Sequence, residues 1–538
     1  MTSGLVELGA GTDDLFRVGL ALGGPITSTL SFRASVHHHQ QNGFHDAVFL
    51  DREDTNGREE LTSRIKLRWD PSDAWRTDLT VFHVDHDNGY DVWAPDNNHD
   101  LNTYSDRPGK DAVEAIGVAL RNTWMGPEAY RVLSITTWSE ADLEYSYDGD
   151  WGNDAFWRAA PYNFDPAVEG YANDFFDETL RTRRTITQDL RFISEPDGRI
   201  FGDTTAWHIG LYGSRLEEED DYNGFGQLQS DYRADSIAGY TQLTTELNPT
   251  LHLITSGRVE YRDTDYSDDQ GIDASDDETM VGGRIALEQQ LNDTWLGFVA
   301  ASRGYKGSGV NQDAALPADR RFYDEETVWN FEAGARAESG NWRADLTAFW
   351  MERRDLQIST SFQADPTDPT SFAFFTDNAA EGRNIGIEAE AEVQLCDRVT
   401  WFAGAGVLDT EFTGYDTAGG TNSIDGREQP YAPSYNFLTG LQYRHAKGWF
   451  ARVELEGKDS FYYSDSHNEQ SSGYELLHLA AGWQGEAWSI TVWGRNVLDE
   501  RYAVRAFRFG LEPPAYEDTT YESYGDPAQA GVTAQYRF

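Results

Sequence analysis

Hydrophobic and polar residues alternate with a period of two along most of the chain. Between residues 342 and 350, Trp342, Leu346 and Trp350 fall on one face, while Arg343 and Asp345 fall on the other. Successive side chains of a β-strand point to opposite faces, so this pattern predicts strands with one apolar and one polar face. The segments 30–36, 64–69 and 488–492 repeat the pattern. Convincing helical stripes are absent from the sequence.

The alternation predicts about 22 strands, an even number that is typical of bacterial outer-membrane barrels. Their approximate centres are residues 7, 19, 32, 66, 80, 118, 135, 187, 210, 239, 257, 285, 299, 331, 347, 386, 404, 439, 454, 478, 491 and 534. We therefore predict an all-β fold, an antiparallel transmembrane β-barrel that spans residues 1–538.

The connections between these strands alternate between short and long. Short turns such as GGPITS and LNPTL are separated by long polar segments. The long segments are residues 38–61, 86–112, 146–179, 217–233, 263–279, 306–322, 359–373, 410–430, 460–471 and 502–526. This rhythm predicts short periplasmic turns and long extracellular loops. A soluble solenoid or propeller would show a repeating unit, which the sequence lacks.

Aromatic residues concentrate beside the short turns. They are Trp69, Trp75, Trp124, Tyr130, Trp342, Trp449 and Trp488. Amphipathic rings favour the boundary between membrane and water, so this distribution predicts an aromatic girdle. Packing of the same rings against turns in a soluble β protein is the alternative.

The last strand predicts how the barrel closes. In GVTAQYRF, residues Val532, Ala534, Tyr536 and Phe538 share one face, which we expect to meet lipid. A terminal aromatic residue inside a strand fits a seam between the last and first strands, which leaves no free edge. The ending resembles the C-terminal assembly signal of bacterial outer-membrane proteins, although Thr533 stands where that signal usually has glycine. Tyr536 and Phe538 would then be contacts for the barrel assembly machinery.

Composition excludes several classes of protein. The chain has a formal net charge of −49, with 92 acidic and 43 basic residues, so a nucleic-acid partner is not expected. Its 17 Trp, 27 Tyr and 28 Phe argue against a disordered chain. No stretch approaches the roughly 18 apolar residues of a transmembrane helix.

The sequence offers little for catalysis. Cys396 is the only cysteine, so an intrachain disulfide and a thiolate metal cage are both excluded. GxSxG, HExxH and P-loop motifs are absent. We therefore predict that the chain is not an enzyme and needs no cofactor.

Five segments resemble, in family order, the β-barrel of TonB-dependent outer-membrane receptors. These are SRGYKGSGVN (302–311), FWMERRDLQIS (349–359), DNAAEGRNIGIEAEAE (377–392), PYAPSYNFLTGLQYR (430–444), and WSITVWGRNVLDERYA (488–503) with YGDPAQAGVTAQYRF (524–538). Each is a weak motif, but the ordered set is specific. The start of the chain, LVELGAGTDDLFRVGLALGGPI, is similar to the first two strands of such barrels.

Members of that family carry an N-terminal plug domain in the lumen, preceded by a segment that contacts TonB. This sequence begins at the first barrel strand, without plug or signal peptide. We therefore expect a gene fragment, a split gene, or a plug supplied by another chain. Coupling to the TonB–ExbB–ExbD complex is expected only if a plug is supplied.

The resemblance implies a receptor in the outer membrane of a Gram-negative bacterium that takes up a scarce, bulky nutrient, ferric siderophores being the family's commonest class. A non-iron substrate such as an oligosaccharide or cobalamin, a passive channel, and a soluble β-rich binding protein are the alternatives. Outer-membrane lipid and lipopolysaccharide are expected neighbours.

The expected substrate-binding residues are Tyr90, Trp93, Trp151 and Trp157 in aromatic loops, and Arg303, Lys306, Arg320 and Arg321 near one long loop. Phe156 adds aromatic surface.

Two polar segments raise the question of metals. His37, His38 and His39 form a run in which the outer two would share a strand face. Imidazole suits iron or zinc, but a solvated strand end is favoured. Residues 263–278 are dense in carboxylates and lack EF-hand spacing. A hydrated acidic loop is the simpler interpretation, and calcium bridging to lipopolysaccharide phosphates is the alternative. No metal site is therefore predicted.

Overall fold

A computed structural model describes residues 2–126, 129–313, 316, 320–363, 372–415 and 424–538. Twenty-two strands form a single sheet, in which sequence neighbours pair antiparallel throughout. Every predicted strand centre lies inside one of these strands, in the predicted order. The sequence-based prediction of a 22-stranded barrel is confirmed.

The strands are numbered β1 to β22 in chain order. Their bounds are β1 Ser3–Gly11, β2 Phe16–Pro25, β3 Leu30–Gln41, β4 Arg58–Ser72, β5 Trp75–Gly89, β6 Lys110–Met125, β7 Tyr130–Asp148, β8 Phe176–Ser194, β9 Thr205–Asn223, β10 Gln227–Asn248, β11 Leu251–Asp268, β12 Asp273–Gln290, β13 Trp295–Lys306, β14 Glu326–Ser339, β15 Trp342–Gln363, β16 Phe372–Cys396, β17 Val399–Tyr415, β18 Tyr435–Arg444, β19 Trp449–Lys458, β20 Tyr474–Gln484, β21 Trp488–Arg495 and β22 Gln529–Arg537.

The sheet closes because β1 pairs with both β2 and β22. The seam register runs from Leu5 opposite Arg537 to Gly11 opposite Gly531. Beyond it, the amide of Gly4 donates to the carbonyl of Phe538 at 2.8 Å, and the return bond measures 3.1 Å. A Cβ atom on Gly4 would lie 2.2 Å from the Phe538 ring, so any larger residue there would require the terminal ring to move. The predicted seam is therefore present.

The two faces of the barrel differ as the alternation predicts. Val532 and Phe538 lie on the outer face, with 44% and 56% of their surface exposed. Outward-facing residues of other strands continue an exposed apolar belt, which includes Leu20, Ile65, Ile186, Val259, Val299, Leu346, Ile387, Val407, Leu441 and Val492. On the inner face, Gln535 donates to Glu7 at 2.7 Å. The apolar face therefore meets lipid and the polar face lines the lumen.

The predicted girdle residues lie where the short turns join the strands. Trp69, Trp75, Trp449 and Trp488 are exposed. The ring of Trp124 lies 6.1 Å from that of Tyr130. Trp342 lies 6.1 Å from Trp295, a girdle residue that the sequence analysis missed. Together the rings form a band at the end of the barrel that carries the turns, as expected at a membrane interface.

Two predicted loops prove to be mostly strand. Segment 217–233 lies largely in β9 and β10, which are joined by residues 224–226, and 263–279 lies largely in β11 and β12. β10 has 22 residues, whereas roughly 9–11 suffice to cross a membrane. Above the membrane both faces are polar, so the apolar alternation ends although the strand continues.

The remaining connections at that end contain short elements. Helix α1 (Asp154–Arg158) begins after Asn153, whose side chain accepts from the amide of Phe156 at 2.9 Å. Helix α2 (Pro166–Glu169) has proline at its first position. Strand Ala503–Phe509 pairs with Thr519–Tyr524. Within the described ranges, no helix is long and apolar enough to cross a membrane.

Lipid exposure predicts unequal effects at two neighbouring positions. Val492→Arg places a cation on the outer face, where 55% of the Val492 surface is exposed. We expect a loss of about 2–4 kcal/mol if that position lies near the bilayer midplane. Thr491→Arg faces the lumen and should cost little. Urea unfolding in phospholipid vesicles, followed by tryptophan fluorescence, measures both. Equal destabilisation by the two substitutions would contradict the assignment of the faces.

Candidate functional site

Three connections meet over the end of the barrel that carries the long loops. They are residues 90–109 after β5, 149–175 after β7, and 496–528 after β21. They share one buried cluster, here called the aromatic cap, which consists of Trp93, Trp151, Trp157, Phe164, Tyr171, Leu511 and Tyr521. Strands β5 and β21 are separated by several strands around the barrel, so the cap reaches across part of the mouth.

Ring contacts hold the aromatic cap together. Trp93 and Trp151 stack with centroids 5.3 Å apart and an interplanar angle of 16°. Trp157 has no exposed surface, and its indole donates to Asp150 at 2.8 Å. Trp151 also contacts Tyr521 edge-on at 5.3 Å. Because buried aromatic pairs add stability beyond their area, the three connections behave as one packed unit.

Hydrogen bonds join the same connections. The hydroxyl of Tyr171 donates to the carbonyl of Leu511 at 2.8 Å. The side chain of Asn97 donates to the carbonyl of Thr520 at 2.7 Å and accepts from the amide of Glu522 at 2.9 Å. Asn97 therefore binds the strand Thr519–Tyr524 much as another strand would, which fixes 90–109 against 496–528.

Burial alters the titration of groups in and beside the cap. It raises the pKa of Asp91 to about 6 and raises the pKa of Asp150. It lowers the pKa of His45, in the connection after β3, to about 4. In each case removal from water disfavours the charged form. The amide of Gly109 donates to Asp91 at 3.1 Å, which favours the carboxylate but offsets burial only in part.

The predicted aromatic residues come together, but mostly against one another. Trp93, Trp151 and Trp157 are buried in the aromatic cap. Tyr90 lies at its edge, where its ring is 4.8 Å from Tyr145 and its hydroxyl accepts from Trp93 at 3.5 Å. Phe156 also packs against the cap. In this conformation Tyr90 is the one of the four predicted aromatic ligands whose ring is not buried in the cluster.

The predicted cations lie apart from the aromatic cap. Arg321 is buried and donates to the backbone carbonyls of Asn311, Asp313 and Leu316, so it braces the connection after β13. Arg320 lies 5.1 Å from the ring of Phe375 and 4.0 Å from Asp377.

The other two predicted cations lie on β13. Arg303 is 3.5 Å from Glu325. Lys306 ends the strand and is exposed. Lys306 and Arg320 are therefore more accessible to a solute than Arg321.

An inner-wall cluster was missed by the sequence analysis. The guanidinium of Arg258 lies 5.1 Å from the ring of Tyr212 and 5.8 Å from that of Tyr240. It also bonds Glu260 at 2.7 Å and the hydroxyl of Tyr305 at 3.0 Å. Inward positions on four separate strands supply these groups, so the cluster emerges only once the strand register is known.

The two segments considered as metal sites, His37–His39 and residues 263–278, lie mainly in strands of the barrel. His37 faces inward, 4.0 Å from Glu7, while His38 lies 3.8 Å from Glu59. Residues 263–278 belong mainly to β11 and β12. Among the residues that the structure describes, no group of three or more His, Cys, Asp or Glu side chains is placed to hold a metal ion.

Comparison with known proteins gives a consistent result. The family model "TonB dependent receptor-like, beta-barrel" matches residues 69–497. The pesticin receptor of Yersinia pestis is 22% identical over 288 residues, which is 52% of this chain and 41% of that protein. The pesticin receptor of Yersinia enterocolitica matches to the same extent. The chain thus spans less than half the length of these curated relatives.

Solved structures share the fold over the whole chain. The ferric yersiniabactin uptake receptor FyuA of Yersinia pestis has a TM-score of 0.84 and 18% identity, covering 100% of this chain and 80% of that one. The siderophore receptor PiuA of Acinetobacter baumannii has a TM-score of 0.79 at 12% identity, covering 100% and 82%. The copper transporter OprC has a TM-score of 0.76 and 13% identity, and the match covers 100% of this chain and 80% of that one. At these identities the likeness establishes the fold alone.

Asp91 and His45 should change the stability of the cap in opposite directions as pH rises, and substitution of Asp91 should isolate its share. Above pH about 4 the unfolded segment loses the Asp91 proton first, so this group lowers stability as pH rises towards about 6. His45 acts oppositely, because its folded pKa of about 4 lies below the unfolded value. Asp91→Asn should therefore stabilise the cap by roughly 1–3 kcal/mol at pH 7.5 and leave it unchanged at pH 4.

Hydrogen exchange of peptides from residues 90–109, compared between variant and wild type at each pH, measures this difference. Asp100→Asn, at an exposed position in the same connection, is the matched control. Faster exchange in Asp91→Asn than in wild type at pH 7.5 would contradict the assignment.

Proposed function

The chain belongs to the TonB-dependent receptor family, whose β-barrels lie in the outer membrane of Gram-negative bacteria, and from this premise we propose that it takes up a ferric siderophore. The observation that carries the proposal is the likeness over 100% of the chain to a ferric yersiniabactin uptake receptor. A second similar structure is that of a siderophore receptor. The family consists of receptors and transporters, which supports a non-enzymatic role at that level.

The proposed role assigns capture to the mouth of the barrel. A solute that is scarce and too large for diffusion must be bound tightly before it is moved. The aromatic cap supplies a rigid surface at low cost in conformational entropy, and accessible cations beside the connection after β13 can attract acidic oxygens. Inward release would use the TonB–ExbB–ExbD complex acting on a plug domain, and we propose this coupling for a receptor that includes one.

The eight predicted residues remain the proposed substrate-binding set, with two roles. Tyr90, Arg303, Lys306 and Arg320 would contact the solute directly, because none of the four is fully buried. The other four, Trp93, Trp151, Trp157 and Arg321, would act by holding the connections in place. Lipid, lipopolysaccharide and the assembly machinery, through Tyr536 and Phe538, complete the proposed partners.

Titration of the purified full chain in detergent tests the substrate class. We expect one class among catecholate, hydroxamate and carboxylate ferric siderophores to quench tryptophan fluorescence with a dissociation constant of about 1 μM or lower. Cobalamin, maltohexaose and a copper salt are the competing probes. Saturable binding of one of these, with none of the ferric complexes, would contradict the proposal.

Neutralisation of the accessible cations tests the proposed site. Lys306→Gln with Arg320→Gln should weaken binding of an anionic ferric complex about tenfold, which corresponds to about 1.4 kcal/mol. The matched control, Arg398→Gln with Lys447→Gln, removes the same charge at the short turns and should leave affinity unchanged. Equal effects of the two pairs would indicate a general charge effect instead of a site. Large conductance in planar bilayers without saturable binding would favour a passive channel.

A further inference from the structure

Three unfavourable features lie next to one another where β7 passes into the connection 149–175. Asp148, the last residue of β7, and Asp150 are both buried, with 1% and 5% of their surface exposed. Trp151 follows with a backbone φ of 53° and a buried indole N–H group that has no partner among the described residues. β7 has 19 residues, whereas roughly 9–11 suffice to cross a membrane, so its end lies above the lipid.

The conformation of Trp151 is costly for a residue of its size. A bulky side chain rarely adopts a left-handed φ, and Trp151 is the only tryptophan in the described part of the chain that does. A buried donor without an acceptor adds a second cost. Contacts with the rings of Trp93 and Tyr521 nevertheless keep Trp151 in the aromatic cap. The rest of the cap therefore holds this segment in place, and movement of Trp151 into water would relieve both costs.

The two buried carboxyl groups, here called the carboxyl pair, share a hydrogen bond. Asp150 accepts at both of its oxygens, from the indole of Trp157 at 2.8 Å and from a backbone amide at 2.9 Å. Asp148 accepts more weakly, from the amide of Asp106 at 3.3 Å and from the guanidinium of Arg107 at 3.4 Å. Asp148 and Asp150 also bond to each other, which two carboxylates cannot do without a proton. Because Asp150 has the stronger donors, Asp148 carries that proton.

A single cation stands among the carboxylates around the pair. The guanidinium of Arg107 lies 3.0 Å from Asp174 and 3.6 Å from Asp106, so its charge is divided among three acidic groups. Burial first, and then the charge of Asp150, raises the pKa of Asp148 to about 8, and Arg107 offsets only part of this rise. The titratable groups that face this cluster are Asp106 and Arg107 from 90–109, Asp154, Tyr171 and Asp174 from 149–175, and Tyr521 from 496–528.

We propose that the carboxyl pair is a pH-sensitive switch: one proton held between Asp148 and Asp150 keeps the connection 149–175 closed in the aromatic cap, and opening releases that proton to water. Opening hydrates both carboxylates, relieves the backbone of Trp151 and gives its indole N–H group a partner. The ring of Trp151 then becomes accessible to a solute at the mouth. This inference rests on the proposed function, to which it adds control of the mouth by pH.

Release of a proton determines how opening depends on pH. In the open connection Asp148 ionises near its ordinary pKa of about 4, whereas in the closed one its pKa is about 8. The closed form is therefore most stable below about pH 4, loses stability as pH rises, and loses no more above about pH 8, where both forms are ionised. Between these limits the opening constant should rise about tenfold per pH unit. Asp91 adds little to this slope above its own pKa of about 6, so the range from about pH 6.5 to 8 isolates the carboxyl pair.

Hydrogen exchange of peptides from residues 149–175 tests the switch in the purified full chain, in detergent and without ligand. Each exchange rate is divided by that of the unfolded peptide at the same pH. Protection in the wild type should fall about tenfold per unit from about pH 6.5 to 8 and then level off. Asp148→Asn can still donate to Asp150 but has no proton to lose, so its protection should be constant over this range. Asp100→Asn, at an exposed position in 90–109, is the matched control and should keep the wild-type slope.

Arg107→Gln provides a second variant that does not depend on the folding of Asp148→Asn. Loss of the cation favours the protonated form of Asp148, so the point at which protection levels off should move to higher pH, even if protection falls at every pH. A purely structural role of Arg107 would lower protection without moving that point.

Two results would overturn the proposal. One is constant protection of the wild type between about pH 6.5 and 8, and the other is an unchanged slope in Asp148→Asn. If Asp148→Asn does not fold, an Arg107→Gln curve that levels off at or below the wild-type pH would overturn it as well. Failure of the siderophore titration alone would leave these exchange rates unaffected, because they are measured without ligand.

Discussion

Closure of the sheet is the constraint on which the rest of the structure depends. In a lipid interior each backbone amide and carbonyl must find its partner within the protein, so a sheet that crosses the membrane cannot leave an edge. The pairing of β1 with β22 meets this requirement, and the mutual bonds of Gly4 and Phe538 extend the pairing to the last residue. The seam thus reaches the C-terminal residue, and the apolar outer face answers a separate requirement, which is contact with lipid.

The closed wall also determines what can form at the mouth. Strands such as β10 continue well past the length needed to cross a membrane, and so they carry the connections on a hydrogen-bonded base. Connections that start at separated strands can then meet above the lumen, as 90–109 and 496–528 do through Asn97. The cap buries Asp91 and Asp150, whose raised pKa values record the cost of removing carboxylates from water. Rigidity at the mouth is thus obtained at some loss of stability near neutral pH.

The parts of the fold that lipid enforces could be predicted from the sequence, and the parts that depend on distant contacts could not. All 22 strand centres were located because one face of each strand must be apolar within the membrane. Segments 217–233 and 263–279 were wrongly predicted as loops. Water surrounds both faces of these strands, so their sequences are polar throughout and resemble those of loops. Within the candidate site, Trp93 and Trp151 were predicted to bind substrate, and that role stays a prediction. The two rings are buried against each other because two separate connections meet. Such a contact cannot be predicted from residue composition or from the alternation within a strand.

Net charge describes this barrel poorly because the sheet period sorts charges between two faces. A total of −49 suggests a lumen that attracts cations, and acidic side chains do line one recess. Yet the same alternation that sends Ile65 to lipid sends Arg64 and Lys66 to the interior. Charges beyond about 10 Å are screened in salt and paired charges largely cancel, so the field at any point in the lumen is set by the groups nearest to it. The sign of the charge on the inner wall is therefore local, and it changes from one part of the wall to another.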